Sequence, residues 1–373
     1  MKKRLLCLLL CAAAIFTSAC TFFSGEYRSV KEHEEQSQPS STAPSEDEGP
    51  AVVHNRNELR GEMLRFVRDW REVGTILTQD YLGDLSEDLP DALHYITEED
   101  PIGSFAVDYA DAELLESGVI SLRIVFRRSA AEIDAIVTVD GIDDAYDMIY
   151  GMLENCRTSL TLRIRDYEET DFLQSIRSYS LLHLTTVAAV PQVSAQLYPK
   201  SGRTRILELH FVFPESRDTL LLKAESVATI LNSARSFVSG GSNDTRRLEL
   251  IYRFLKNRFQ YTPVSEEPAT PAYSLLCEGK LHSLSLAAVC RFEGAMSNLS
   301  CELIEGTKNG EPYFWNTILI TQGGESVTYH VDLMRDLLDD LDTPALRTDA
   351  ELLAEGYDWP GAPQPTPEPT EES

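Results

Sequence analysis

The sequence predicts an α+β protein, and three observations carry that prediction. Apolar residues recur at three-to-four spacing in some stretches and at alternate positions in others, so both helices and half-buried strands are expected. The chain has 373 residues with 43% hydrophobic content, enough for about two packed domains at roughly 150 residues each. A pair of strand-like segments recurs further along, which predicts a duplicated strand-pair/helix unit in an N-terminal region, followed by a second α+β domain.

The first residues are expected to lie outside the fold. "MKKR" is a positive n-region, Leu5 to Phe16 a short apolar stretch, and "TSAC" places small residues before Cys20. This resembles the lipobox of bacterial lipoproteins, although Thr17 stands where that motif prefers Leu. The apolar run is too short for a transmembrane helix, which needs roughly 20 residues. The resemblance implies a signal peptide over 1–19, a lipidated Cys20, and a location on the extracytoplasmic face of a cell membrane. Residues 20–55, with "EEQSQPSSTAPSEDEGP", carry too little apolar surface to offset ordering entropy and predict a disordered acidic linker. The Pro-rich 361–373 predicts a disordered tail.

Within the N-terminal α+β region, 56–235, Leu59, Met63, Phe66, Trp70 and Val73 form a helical stripe. Segments 104–110 and 120–126 alternate as strands, with Gly118 between them. Ala145, Ile149, Met152 and Cys156 predict a helix, and 159–167 a further strand. Segments 192–199 and 206–214 repeat the earlier strand pair at an offset of roughly 86–88 residues. Breakers Gly240, Gly241 and Asn243 predict a linker over 236–247, after which Leu248, Ile251, Leu255 and Phe259 share one helix face.

Charge excludes one class of partner. Lys and Arg number 33 against 60 Asp and Glu, a net charge of −27; nucleic-acid binding needs a basic patch and is not expected. Neither metal nor cofactor is expected, since the cysteines have no C-x-x-C spacing and no Gly-rich phosphate loop occurs. Of seven cysteines, Cys7 and Cys11 fall in the signal and Cys20 at the lipidation position. Cys156 is left with Cys277, Cys290 and Cys301, and for these last three both disulfide pairing and packing as buried thiols stay open.

The segment 245–360 carries a more specific signal. "LIYRFLKNRFQYTP", "AYSLLCEGKLHSLSLAAVC", "CELIEGTKNGEPYFWNTI", "TYHVDLMRD" and "LRTDAELLAEGYDW" follow one another. In order and spacing they resemble the segments of bacterial transglutaminase-like domains. That resemblance implies a papain-like α+β fold and a Cys-His-Asp triad. In such a triad a thiolate forms at a helix N-terminus, a histidine shuttles protons and an aspartate orients it.

Carried over onto this sequence, Gly279 and Lys280 match the family's G-K, so the nucleophile's place falls on Ser283. Tyr313 stands at the histidine's place and Asp332 at the aspartate's. A serine hydroxyl needs a base, and a tyrosine with an ordinary pKa near 10 is a poor one at neutral pH. The triad is therefore expected to be degenerate, and the domain to act in binding a peptide or cell-envelope component, or as a scaffold. The alternative is a peptidase or acyl-transfer enzyme using Ser283 with an unassigned base; His330, which shares a predicted strand face with Asp332, is a candidate ahead of His282, since neighbours on a helix point apart. Trp315, Asn316 and His330 are expected to line a residual cleft. The oligomeric state is not fixed by the sequence.

Overall fold

A computed structural model of the chain describes residues 49–115, 117–258 and 260–363. The signal segment, Cys20, most of the linker, Phe259 and nearly all of the tail lie outside the described residues. The chain divides into a unit Met1–Val52 and a unit Val53–Ser373. In the first, the described residues are 49–52, with a two-residue strand β1 (Ala51–Val52).

The second unit opens with α1 (Arg56–Arg68), capped by the Asn55 side chain on the Asn57 and Glu58 N–H groups, with Leu59, Met63, Phe66 and Val67 buried. The predicted stripe runs too far. Trp70 adopts a left-handed φ of 52°, its N–H donates to the Val67 carbonyl, and the Arg71 N–H donates to Phe66, which closes the helix in a Schellman turn. Val73 begins β2 (Val73–Leu77) instead. Next come α2 (Leu85–His94), a π turn over Tyr95–Glu99, and α3 (Pro101–Ala106), none of which the periodicity revealed. Residues 104–106 are helical rather than extended, because Asp100 caps Ile102 and Gly103 and Pro101 sits in the first turn. The strands β3 (Val107–Leu115) and β4 (Val119–Phe126) follow, turning at Gly118, and β4 pairs antiparallel with both β2 and β3.

The expected duplication is present. After α4 (Ala130–Asp134) the chain forms β5 (Val137–Val139), α5 (Ile142–Glu154), β6 (Ser159–Ile164), α6 (Phe172–Leu182), β7 (Gln192–Tyr198) and β8 (Arg205–Val212). Three elements start 86 residues after their counterparts: Ile142 after Arg56, Ser159 after Val73, and Arg205 after Val119. Here β8 pairs antiparallel with β6 and β7, as β4 does with β2 and β3. Even the helix ending recurs: Cys156 is left-handed at φ 48°, and the Arg157 N–H reaches the Met152 carbonyl. Each copy encloses its own core, Ile76, Ile120 and Ile124 in one and Leu162, Leu207 and Leu209 in the other.

The copies differ in what comes next. Five-residue α4 has as its counterpart α7 (Arg217–Val238), a 22-residue helix. Its Val227, Leu231, Ala234 and Val238 enter the core built by α8 (Asp244–Arg258), whose Leu248, Ile251 and Leu255 are buried. The linker expected over 236–247 therefore shrinks to the few residues between α7 and α8, and the boundary drawn between 235 and 245 falls inside a continuous core.

The chain continues through β9 (Thr262–Pro263), α9 (Pro271–Leu276) and β10 (Lys280–Leu281) into α10 (Ser283–Met296). Then come β11 (Cys301–Lys308), β12 (Glu311–Gln322), β13 (Glu325–Val331), α11 (Leu333–Leu338), α12 (Asp349–Ala354) and β14 (Tyr357–Asp358). The last four strands form an antiparallel sheet in the order β13-β12-β11-β14. Alternation along β12 separates its two faces. Phe314, Ile318 and Ile320 join the α10 core, while Trp315 packs with Leu352 and Tyr357 in a separate small core.

Candidate functional site

The site is built where α10 begins and where β12 and β13 run into α11. Gly279 turns the chain at φ +67°, and a Cβ there would stand 2.5 Å from the Gln260 carbonyl oxygen, so the tight approach of β9 and β10 requires glycine. The turn delivers His282 as the N-cap of α10, its Nδ1 accepting from the Leu284 N–H at 3.2 Å. Ser283 is the first helical residue and is buried. Its hydroxyl therefore lies where the helix dipole would favour an anion. It makes no side-chain hydrogen bond to Tyr313, His330 or Asp332.

Tyr313 and Asp332 do come together. Asp332 follows β13, is 1% exposed, and caps α11 by accepting from the Arg335 N–H at 3.0 Å. The Tyr313 hydroxyl donates to both carboxylate oxygens at 3.2 and 3.1 Å, and the Tyr357 hydroxyl donates at 2.6 Å. Lys308 Nζ stands 3.4 Å from the carboxylate and over both tyrosine rings, 4.9 and 4.7 Å from their centres. Burial, then the Asp332 charge, pushes the Tyr313 hydroxyl far above its ordinary pKa, and the same two causes raise Tyr357. Tyr313 is thus a hydrogen-bond donor to Asp332 and holds its proton throughout the neutral range.

His330 points to the other assembly. It is 3% exposed; its Nδ1 accepts from Trp315 Nε1 at 2.9 Å and its Nε2 lies 3.0 Å from Asp349. With Nδ1 accepting, the ring proton sits on Nε2 and is directed at Asp349. Burial lowers the His330 pKa, against the opposing pull of Asp349. Both nitrogens are occupied, so the ring has no free lone pair for Ser283.

The expected cleft residues are corrected accordingly. Trp315, Asn316 and His330 are at most 3% exposed, too buried to present a surface to a ligand. Trp315 fills the core behind the sheet, packed edge-on against Tyr357 and Trp359. Asn316 faces α10 and donates to the Ala287 and Glu302 carbonyls at 2.9 and 3.2 Å, tying helix to sheet. An open cavity of about 580 Å³ lies instead beside Tyr313, lined by Lys308, Arg335, Leu338, Asp339 and Glu355. Lys308 and Tyr357 were not singled out by sequence; both lie in segments whose pattern gives them no role, and only the fold brings them to Asp332. Among the described residues no cluster of three or more His, Cys, Asp or Glu is arranged to hold a metal ion, and no helix is long and apolar enough to cross a membrane.

These features define an α+β chain in which a buried carboxylate is ringed by tyrosines beside an open cavity. No family model and no curated protein matches the chain. Among solved structures, a TGase overlaps it with a TM-score of 0.24 at 10% identity, covering 82% of this chain and 83% of that one. A candidate protease from Parabacteroides distasonis overlaps with a TM-score of 0.20 at 11% identity, covering 57% of this chain and 46% of that one. At that degree of overlap the likeness assigns neither family nor activity.

Proposed function

We propose that the chain is a lipid-anchored extracytoplasmic protein. Its transglutaminase-like C-terminal domain has lost catalysis and serves to bind a peptide or cell-envelope component, or to scaffold one. The observation that carries this is the bond from the Tyr313 hydroxyl to the buried Asp332 carboxylate. At the positions matching the family's triad, a fixed proton donor occupies the base's seat, and among the described residues Ser283 has no hydrogen-bonded base to take its proton. The His330 ring, engaged at both nitrogens, supports the same view against the alternative of a serine enzyme. The cavity beside Tyr313 is the binding surface; Arg335 there is paired with Asp339 and Glu355 and Lys308 with Asp332, so its lining carries both charges. Anchoring and location rest on the first twenty residues: the charged start, the apolar run and Cys20.

The test uses protein lacking residues 1–20. It is assayed for peptide hydrolysis and for amine incorporation into glutamine peptides, beside Ser283→Ala. Neither protein is expected to turn over substrate while both give the same folded circular dichroism. Turnover that Ser283→Ala abolishes overturns the proposal.

A further inference from the structure

Where α10 meets the first residue of β11, two thiols touch. Cys290 and Cys301 are 0% and 5% exposed, and their sulfurs lie 3.9 Å apart. The close approach is built into the backbone. One turn beyond Cys290 stands Gly294, where a Cβ would come within 2.7 Å of the Cys301 Cβ and 3.3 Å of the Leu299 carbonyl oxygen. Glycine therefore lets the strand start lie against the helix, and Asn316 ties the same helix to the sheet through the Ala287 carbonyl. Among the described residues the two remaining thiols are elsewhere: Cys156 belongs to a different core with Ala188 and Leu220, and Cys277 is exposed.

We propose that Cys290 and Cys301 are a modification site, a structural disulfide that closes when the chain folds in the presence of a disulfide oxidant. Side-chain rotation takes the sulfurs from contact to a bond of about 2.05 Å. The thiolate of one cysteine attacks a sulfur of the oxidant, forming a mixed disulfide and releasing one oxidant thiolate. The second cysteine, losing its own proton, then attacks the protein sulfur of that mixed disulfide and releases the second thiolate. Two protein thiols give up two protons and two electrons, and the oxidant is reduced to two thiols. In the finished fold, the hydrogen bond shared with Cys290 and burial hold the Cys301 thiol well above its ordinary pKa. Exchange there is slow, so closure belongs to the folding chain, and the bond is afterwards shielded from reductants. The consequence is a covalent link between the helix that presents Ser283 and the sheet that presents Tyr313.

The experiment refolds the full chain with oxidised glutathione, blocks free thiols with N-ethylmaleimide in denaturant, and digests it with trypsin without reduction. Cleavage after Lys280, Arg291 and Lys308 leaves Cys290 in peptide 281–291 and Cys301 in peptide 292–308. These two peptides are expected joined, separating on reduction, with a melting temperature about 5 °C higher in the oxidised protein. In Cys290→Ser, peptide 292–308 is expected fully blocked. Both peptides blocked in the wild-type chain, or either joined to the Cys277 peptide, overturns the proposal, provided circular dichroism shows the sample folded.

Discussion

Asp332 shows how a single position can keep its residue and change its work. In a triad it would orient a histidine; here two tyrosine hydroxyls, the Arg335 N–H and the Lys308 ammonium surround it, and it caps α11. A buried carboxylate needs these donors, since leaving it underbonded costs more than a neutral hydrogen bond contributes. The donors are unequal, and the shorter bond comes from Tyr357 at 2.6 Å. Tyr357→Phe is therefore expected to lower stability by about 2 kcal/mol, and Tyr313→Phe by about 1 kcal/mol. Urea denaturation at pH 7 gives the order of the two, and the reverse order would mean that Tyr313 is the main support. The sequence put Ser283, Tyr313 and Asp332 in view because their neighbours follow a recognisable spacing. Tyr357 was beyond reach, because β14 pairs with β11 across some fifty residues of chain and no local pattern records that.

At the scale of the element, α10 is unusual in being buried on nearly every side, from Ser283 through Cys290. That setting includes Glu293, 1% exposed, with neither carboxylate oxygen hydrogen-bonded. Burial, only partly offset by Arg235, raises its pKa from 4.5 to about 7. The folded chain thus holds this proton where the unfolded chain has released it. The resulting stability is complete below pH 4.5 and is lost as pH rises through 7, to the extent of about 3 kcal/mol. Glu293→Gln keeps a neutral side chain at every pH. The wild-type stability minus that of the variant is expected to fall between pH 4.5 and 8, read from urea midpoints; a flat difference would show a carboxylate already ionised in the fold. Helix ends were the hardest elements to read. The stripe from Leu59 runs on through Trp70 in sequence, but the left-handed turn there is a backbone event that apolar spacing does not encode.

Across the whole molecule, α7 carries the largest discrepancy between pattern and fold. Its polar residues mask the stripe Val227, Leu231, Ala234 and Val238, and the glycines after it suggest a linker. In the structure that stripe completes the core of the C-terminal segment. A fragment of 244–363 would lack that stripe and expose the core it covers, so the fragment is expected to lack a cooperative melting transition, whereas a chain beginning at Val53 melts cooperatively by far-ultraviolet circular dichroism. A fragment that melts sharply by itself would restore the boundary drawn from sequence. The repeat, by contrast, was legible, since hairpins with similar alternation recur at a fixed offset and neither copy has lost its strand pair.

That repeat has a further bearing. At the close of α1 and of α5 the same left-handed turn is made once by Trp70, which stacks on Phe126 and donates its indole N–H to the Arg128 carbonyl, and once by the small Cys156. Glycine, the residue that adopts this conformation without steric cost, occupies neither place. The two copies thus share the backbone turn while the contacts of the turning residue differ. What the two copies have in common there is a curve of the main chain, made in one copy by an indole and in the other by a thiol.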